Sequence, residues 1–118
     1  MKDKIEIWHN NVCSTSRKVL QHIETENEVQ IVDYIKNPPS VEALKKVLKM
    51  MDQPATYILR KKDKVFQELF EGKNLSNDEW IEAMHKHPSI IERPIVIIGK
   101  KAYLARPFEE FKHILEQK

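Results

Sequence analysis

The chain has 118 residues, of which 41% are hydrophobic and 32% charged, which is typical of one globular domain over 1–118 rather than of a disordered chain. Twenty Lys and Arg against 18 Asp and Glu leave a formal charge of +2 and give no reason to expect nucleic-acid or membrane binding. The two glycines, Gly72 and Gly99, exclude a glycine-rich phosphate loop and a dinucleotide fingerprint.

Location and redox environment follow from what the chain contains. No apolar run approaches the roughly 20 residues of a membrane helix, and no signal peptide precedes the first predicted strand. Cys13 is the only cysteine, so no internal disulfide is possible, as expected in a reducing compartment. We therefore expect a cytoplasmic protein, with a monomer as the default state.

The first third of the chain predicts a βαβ unit. Residues 4–9 alternate apolar and polar side chains and predict a strand. Residues 14–26 carry aliphatic side chains on one helical face, and residues 29–32 predict a second strand. Such a unit implies that the two strands pair in parallel through a right-handed crossover.

The middle of the chain predicts helices. Ser40 can cap a helix that ends near residue 51, and residues 55–72 predict short helical pieces. Ser76 and Glu79 have the S-x-x-E spacing of a capping box at the start of a further helix. Together these elements predict a helical insertion at about 40–90.

The last part of the chain predicts a hairpin and a helix. An apolar run at 94–98, the pair Gly99-Lys100 and a strand-like segment at 101–104 are typical of an antiparallel hairpin. A helix follows from Pro107. The order βαβ, helices, ββα predicts an α/β fold: a small mixed sheet with helices on both faces, as in thioredoxin, with a helical insertion in the middle.

Cys13 lies at the predicted junction of the first strand and the first helix, and it is the candidate nucleophile. Helix N–H groups, His9 before it and Arg17 after it each favour the thiolate. A lone cysteine is often a small buried side chain, but this position favours a reactive one. Ser16 stands where a C-x-x-C partner would be, so a redox cycle through Cys13 needs a second thiol from another molecule.

Six short motifs follow one another at compatible spacing between about residues 5 and 115. They are His9-Asn10-x-x-Cys13-x-Thr15-Ser16-Arg17, Asn37-Pro38-Pro39, Ile58-Leu59-Arg60-Lys61, His87-Pro88, Glu92-Arg93-Pro94-Ile95-Val96 and Leu104-x-Arg106-Pro107. Each motif is weak alone, but the ordered set resembles the glutaredoxin-dependent arsenate reductases, a family with a thioredoxin-like fold.

The resemblance implies that arsenate is reduced to arsenite through the Cys13 thiolate. It also implies glutathione as co-substrate, glutaredoxin as the partner that regenerates the thiol, and no bound cofactor. His9 matches the histidine before the family's catalytic loop, and we expect a cationic imidazole there that lowers the pKa of Cys13. Ser16 and Arg17 are expected to support the same loop.

The resemblance also implies an oxyanion site made of three arginines. They match Arg60, Arg93 and Arg106, and the planar guanidinium suits an oxyanion because it donates two parallel hydrogen bonds and stays charged. The Arg93-Pro94 peptide bond is expected to be cis, since thioredoxin-like proteins place a cis-proline beside the active thiol.

Two other functions stay open. Thioredoxin-like regulators that bind RNA polymerase typically carry C-x-x-C, whereas this chain has Cys13-x-x-Ser16. A glutathione-linked thiol transferase would need Cys13 but not three arginines. No metal site is expected, because His85 and His87 do not share one helix face and have no further ligands near them in sequence.

Overall fold

The computed structural model describes residues 4–25 and 27–116, and the four strands found there form one mixed sheet. The strands are β1 (Ile5–His9), β2 (Val29–Asp33), β3 (Ile95–Ile98) and β4 (Lys101–Leu104). Their order across the sheet is β2-β1-β3-β4. β1 pairs in parallel with β2 and antiparallel with β3, while β3 and β4 pair antiparallel. The predicted βαβ unit and hairpin are therefore confirmed.

The described part of the chain also has five α-helices. They are α1 (Ser14–Glu24), α2 (Val41–Met51), α3 (Lys64–Leu69), α4 (Asn77–Lys86) and α5 (Phe108–Glu116). The predicted insertion is occupied by α2, α3, α4 and two 3₁₀ turns, Ala55–Ile58 and Pro88–Ile90. None of these helices is long and apolar enough to cross a membrane.

Local signals in the sequence set several boundaries. Ser40 Oγ accepts the N–H of Ala43 at the start of α2. At the start of α4, Ser76 Oγ accepts the N–H of Glu79, and the Glu79 carboxylate accepts the N–H of Ser76, so the predicted capping box is present. Such caps satisfy helix N–H groups and contribute about 1 kcal/mol each.

The hairpin turn also follows from local sequence. Ile98 pairs with Lys101, which leaves the two-residue loop Gly99-Lys100. Gly99 has a φ of +59°, a conformation that glycine adopts without the steric cost that a Cβ would bring. Two-residue loops with a positive φ match the twist of the strands they join.

The sheet is buried on both faces, which explains why β3 is apolar throughout. Ile95 packs in a core cluster with residues of the insertion such as Leu44 and Met84. The next residue, Val96, packs on the opposite face in a second cluster with Val19 of α1 and Phe111 of α5. Because neighbouring side chains of a strand point to opposite faces, a strand buried on both sides is a continuous apolar run.

Candidate active site

One edge of the sheet collects chain segments that are far apart in sequence. β1 and β2 are parallel and both end at this edge, so the Cys13 loop and Tyr34 follow them there. β3 runs antiparallel to β1, so Arg93 lies just before its start at the same edge. β4 runs antiparallel to β3, so Arg106 lies just beyond its end. The order and directions of the strands therefore bring these residues together.

The hairpin brings Arg93 and Arg106 side by side at the thiol. Its pairing continues past the strands, because the N–H of Ala105 donates to the Pro94 carbonyl at 2.9 Å. Arg106 Nη1 donates to the Arg93 carbonyl at 2.9 Å and to Cys13 Sγ at 3.8 Å. The Arg93 side chain also hydrogen-bonds the Cys13 thiol. We call Cys13, Arg93 and Arg106 the thiol cluster.

The prolines after these arginines are also placed by the structure. The Arg93-Pro94 peptide bond is cis, as expected, and Pro94 is buried. The Arg106-Pro107 bond is cis as well, which the sequence analysis did not predict. Arg93 Nε is buried and has no hydrogen-bond partner within the described residues, so this guanidinium keeps an unused donor.

Cys13 is the N-cap residue of α1, and its side chain makes no capping bond, which leaves the sulfur to the site. Partial burial is the largest influence on the thiol and by itself would raise its pKa. The Ser16 backbone N–H, Arg93 and Arg106 act in the opposite direction, and the net result is a pKa below the ordinary value for cysteine. This arrangement favours a nucleophilic thiolate.

The structure corrects the expected charge of His9. The imidazole is buried, and this burial lowers its pKa below 6.5, so the ring is mostly neutral near pH 7. His9 Nδ1 lies 2.7 Å from Ser16 Oγ, which also accepts the N–H of Asn10 at 3.1 Å. Ser16 Oγ and His9 Nδ1 therefore share a short buried hydrogen bond. His9 supports the loop through Ser16 instead of acting on Cys13 as a cation.

Arg17 also supports the loop rather than the thiol. Its Nη1 donates to the Asn11 carbonyl at 2.9 Å, and its side chain is exposed. Within the same loop, the N–H of Cys13 donates to the Asn10 carbonyl at 3.0 Å. Asn10 Oδ1 accepts the N–H of Val12 at 3.0 Å. These bonds hold the turn that presents the sulfur at the start of α1.

Tyr34 is a site residue that the sequence analysis missed. It is fully buried, its hydroxyl donates to the Ile91 carbonyl at 3.3 Å, and it hydrogen-bonds the side chains of Arg93 and Asn10. Burial raises the pKa of Tyr34, which keeps the phenol protonated. Because a guanidinium can only donate, the Tyr34 oxygen accepts from Arg93 and anchors it. Nothing local to residue 34 signals this contact.

Arg60, the third predicted arginine, lies with Glu92 instead of with the thiol cluster. Arg60 Nη1 is 3.2 Å from Glu92 Oε1, and both side chains are about three-quarters buried. Glu92 and Arg106 both line a groove of ≈ 520 Å³ beside the thiol cluster. The structure thus brings together two of the three arginines at Cys13 and shows the third held by a carboxylate.

The histidines considered for a metal have other contacts. His85 Nδ1 lies 2.8 Å from the Pro39 carbonyl, to which it donates. The His87 ring packs edge-on against Phe70. Within residues 4–25 and 27–116, no group of three or more His, Cys, Asp or Glu side chains could hold a metal ion.

A thiol at the first strand–helix junction of a β2-β1-β3-β4 sheet, next to a cis-proline, defines a thioredoxin-like fold. Within this class, the chain belongs to the ArsC family, whose model matches residues 8–114.

Relatives of the same length support this assignment. The chain is 35% identical over 115 residues to an arsenate reductase of Neisseria meningitidis serogroup A, covering 95% of this chain and 98% of the relative. It is 32% identical over 118 residues to the uncharacterized protein YfgD of Escherichia coli K12, covering 98% and 99%. A solved arsenate reductase structure from Vibrio cholerae has a TM-score of 0.88 at 34% identity, covering 97% and 99%.

Proposed function

We propose that this chain reduces arsenate to arsenite, with Cys13 as the nucleophile and an external thiol as the reductant. The observation that carries the proposal is the thiol cluster: two guanidinium groups converge on one sulfur with a lowered pKa. A cationic pocket around a thiolate suits an anionic electrophile. Relatives of nearly the same length that are named arsenate reductases make arsenate the substrate of choice.

In the first step, the Cys13 thiolate attacks arsenic and an S–As bond forms. One As–O bond breaks, and its oxygen leaves as water after protonation. Attack by one anion on another is opposed by like charge, and Arg93 and Arg106 offset this repulsion. Arg60 would add a third donor group, and the N–H groups at the start of α1 would add further donors.

In the second step, a glutathione thiolate attacks the Cys13 sulfur. An S–S bond forms, the S–As bond breaks, and its electron pair leaves with arsenic as arsenite. Arsenic thereby gains two electrons, and each sulfur loses one. The external thiol is required because the chain has a single cysteine. Glutaredoxin then removes the glutathionyl group by thiol–disulfide exchange and restores the Cys13 thiol.

The test is arsenate-dependent oxidation of glutathione in the presence of glutaredoxin, followed through coupled NADPH consumption. We expect turnover by the parent protein and its complete loss in Cys13→Ser. Ser14→Ala is the matched control, because it removes a neighbouring hydroxyl from an exposed residue and leaves the backbone N–H groups of α1 in place. The control should keep its turnover.

Other outcomes would point elsewhere. Turnover retained in Cys13→Ser would remove Cys13 as the nucleophile. Reduction of a glutathione mixed disulfide without any arsenate turnover would favour the thiol transferase. Specific binding of an RNA polymerase subunit, together with no oxyanion binding, would favour the regulator.

A further inference from the structure

The pairing of Arg60 with Glu92 is imposed by the backbone. Leu59 and Ile91 form an isolated antiparallel bridge. The N–H of Arg60 donates to the Ile90 carbonyl at 2.7 Å, and the N–H of Glu92 donates to the Ile58 carbonyl at 2.8 Å. Residues that follow an antiparallel pair on both strands are diagonal neighbours on one face, within reach of long side chains. The register therefore places the Glu92 carboxylate on the Arg60 guanidinium.

Glu92 also has a place beside the segments that carry the other two arginines. Glu92 directly precedes Arg93 in the chain, and it lines the groove that Arg106 lines. Its negative charge thus pairs with one of the three arginines that are expected to bind an oxyanion, on the lining of a groove that it shares with a second. A fixed anion in such a place reduces the attraction of the site for a second anion and occupies hydrogen-bond donors that this anion would use.

We propose that Glu92 is an internal competitor for Arg60, and that it sets how tightly the site binds an oxyanion. The inference rests on the proposed function. Arg60 stays paired with Glu92 while the site is empty, and an entering arsenate must take over this guanidinium from the carboxylate. Glu92 is a positioning residue, because it acts through Arg60.

Glu92→Gln separates the charge of Glu92 from its geometry. The amide oxygen of glutamine can still accept from Arg60, but the competing negative charge is gone. We expect the dissociation constant of arsenate, measured by calorimetry without external thiol, to fall about 2- to 5-fold, the range found for partly exposed ion pairs. KM for arsenate should fall by a similar factor, with little change in kcat.

Two further variants make the result specific. In an Arg60→Ala background, Glu92→Gln should leave the arsenate dissociation constant nearly unchanged, because its partner is missing. Glu82→Gln removes the same charge from an exposed position on α4 outside the groove lining, and it should have no effect. An equal gain in the Arg60→Ala background would overturn competition for Arg60.

Failure of this inference can be distinguished from failure of the proposed function. If Glu92→Gln binds arsenate more weakly or equally well while the parent protein reduces arsenate, only the competitor role is wrong. If the parent protein binds no arsenate and shows no arsenate-dependent turnover, both are wrong.

Discussion

The thiol cluster and the Arg60–Glu92 pair differ in how ready they are for an anion. Arg93 and Arg106 are carried by the ends of the β3–β4 hairpin, and their guanidinium groups already contact the sulfur. Arg60 comes from the helical insertion, and its guanidinium is held by a carboxylate. Donors that are preorganised for the transition state need no rearrangement during the reaction. In the proposed site, the sheet thus supplies the fixed part and the insertion supplies the adjustable part.

The largest expected effect is the loss of activity when an arginine of the thiol cluster is removed, and it tests whether the two regions differ in this way. Arg93→Ala or Arg106→Ala removes charged hydrogen bonds worth about 1.5–3 kcal/mol, so kcat/KM for arsenate should fall roughly 10- to 150-fold. Arg60→Ala should cost less, because the parent must first release Arg60 from Glu92. Steady-state kinetics of the three variants check this ranking, which a larger loss in Arg60→Ala would reverse.

The pKa of Cys13 gives a second test of the difference between the thiol cluster and the Arg60–Glu92 pair. Arg93 and Arg106 lower the pKa of the thiol, so the alkylation rate by iodoacetamide should rise at lower pH than it does for a free cysteine. Losing either arginine raises this pKa and moves the profile to higher pH. Arg60→Ala should leave the profile in place. A shift in Arg60→Ala as large as that in Arg106→Ala would show that the two regions act as one.

Tyr34→Phe is expected to have an intermediate effect. It keeps the buried ring but removes the hydroxyl that anchors Arg93, while the Arg93 charge remains in place. We therefore expect a loss of about 0.5–1.5 kcal/mol, below that of removing Arg93 itself. We expect kcat/KM to fall roughly 2- to 13-fold and the Cys13 profile to move to higher pH. Tyr57→Phe is the matched control, because Tyr57 is exposed on a 3₁₀ turn of the insertion. An unchanged thiol profile in Tyr34→Phe would contradict the anchoring role.

The smallest expected effect concerns His9 beneath the thiol loop. Burial lowers its folded pKa below 6.5, so the unfolded chain binds this proton first as the pH falls. His9 therefore does not reduce the free energy of unfolding well above about pH 6.5. Below that pH it reduces the free energy of unfolding by at most about 1.4 kcal/mol per pH unit for one proton. Urea unfolding between pH 5 and 7.5 should show a flatter dependence in His9→Gln. An equal slope in both proteins would exclude His9 as the source.

Much of the fold could be predicted because its signals are short-range. The capping box at Ser76, the two-residue loop after Ile98 and the helical periodicities each depend on a few neighbouring residues. The βαβ unit pairs β1 with β2, and the hairpin pairs β3 with β4. The pairing of β1 with β3 joins distant segments, and only the thioredoxin layout predicted that the Cys13 loop lies beside the loop before β3.

What could not be predicted depends on contacts between distant segments. Tyr34 meets the Ile91 carbonyl 57 residues along the chain, and Arg60 meets Glu92 across an isolated bridge. Neither pairing leaves a local pattern. The charge of His9 was predicted wrongly for a related reason. Proximity to a thiol suggested a cation, but burial decides the pKa, and burial is known only once the fold is known.

The lone, partly exposed Cys13 has one more consequence: the protein contains its own reporter. Any thiol-directed tag can attach only at the thiol cluster, so the intact mass of the chain states directly which group the sulfur carries. A trapped glutathione adduct, an alkylated sulfur and a free thiol would differ in a single mass measurement. Intact-mass measurements can therefore follow the state of the Cys13 sulfur through the proposed reaction.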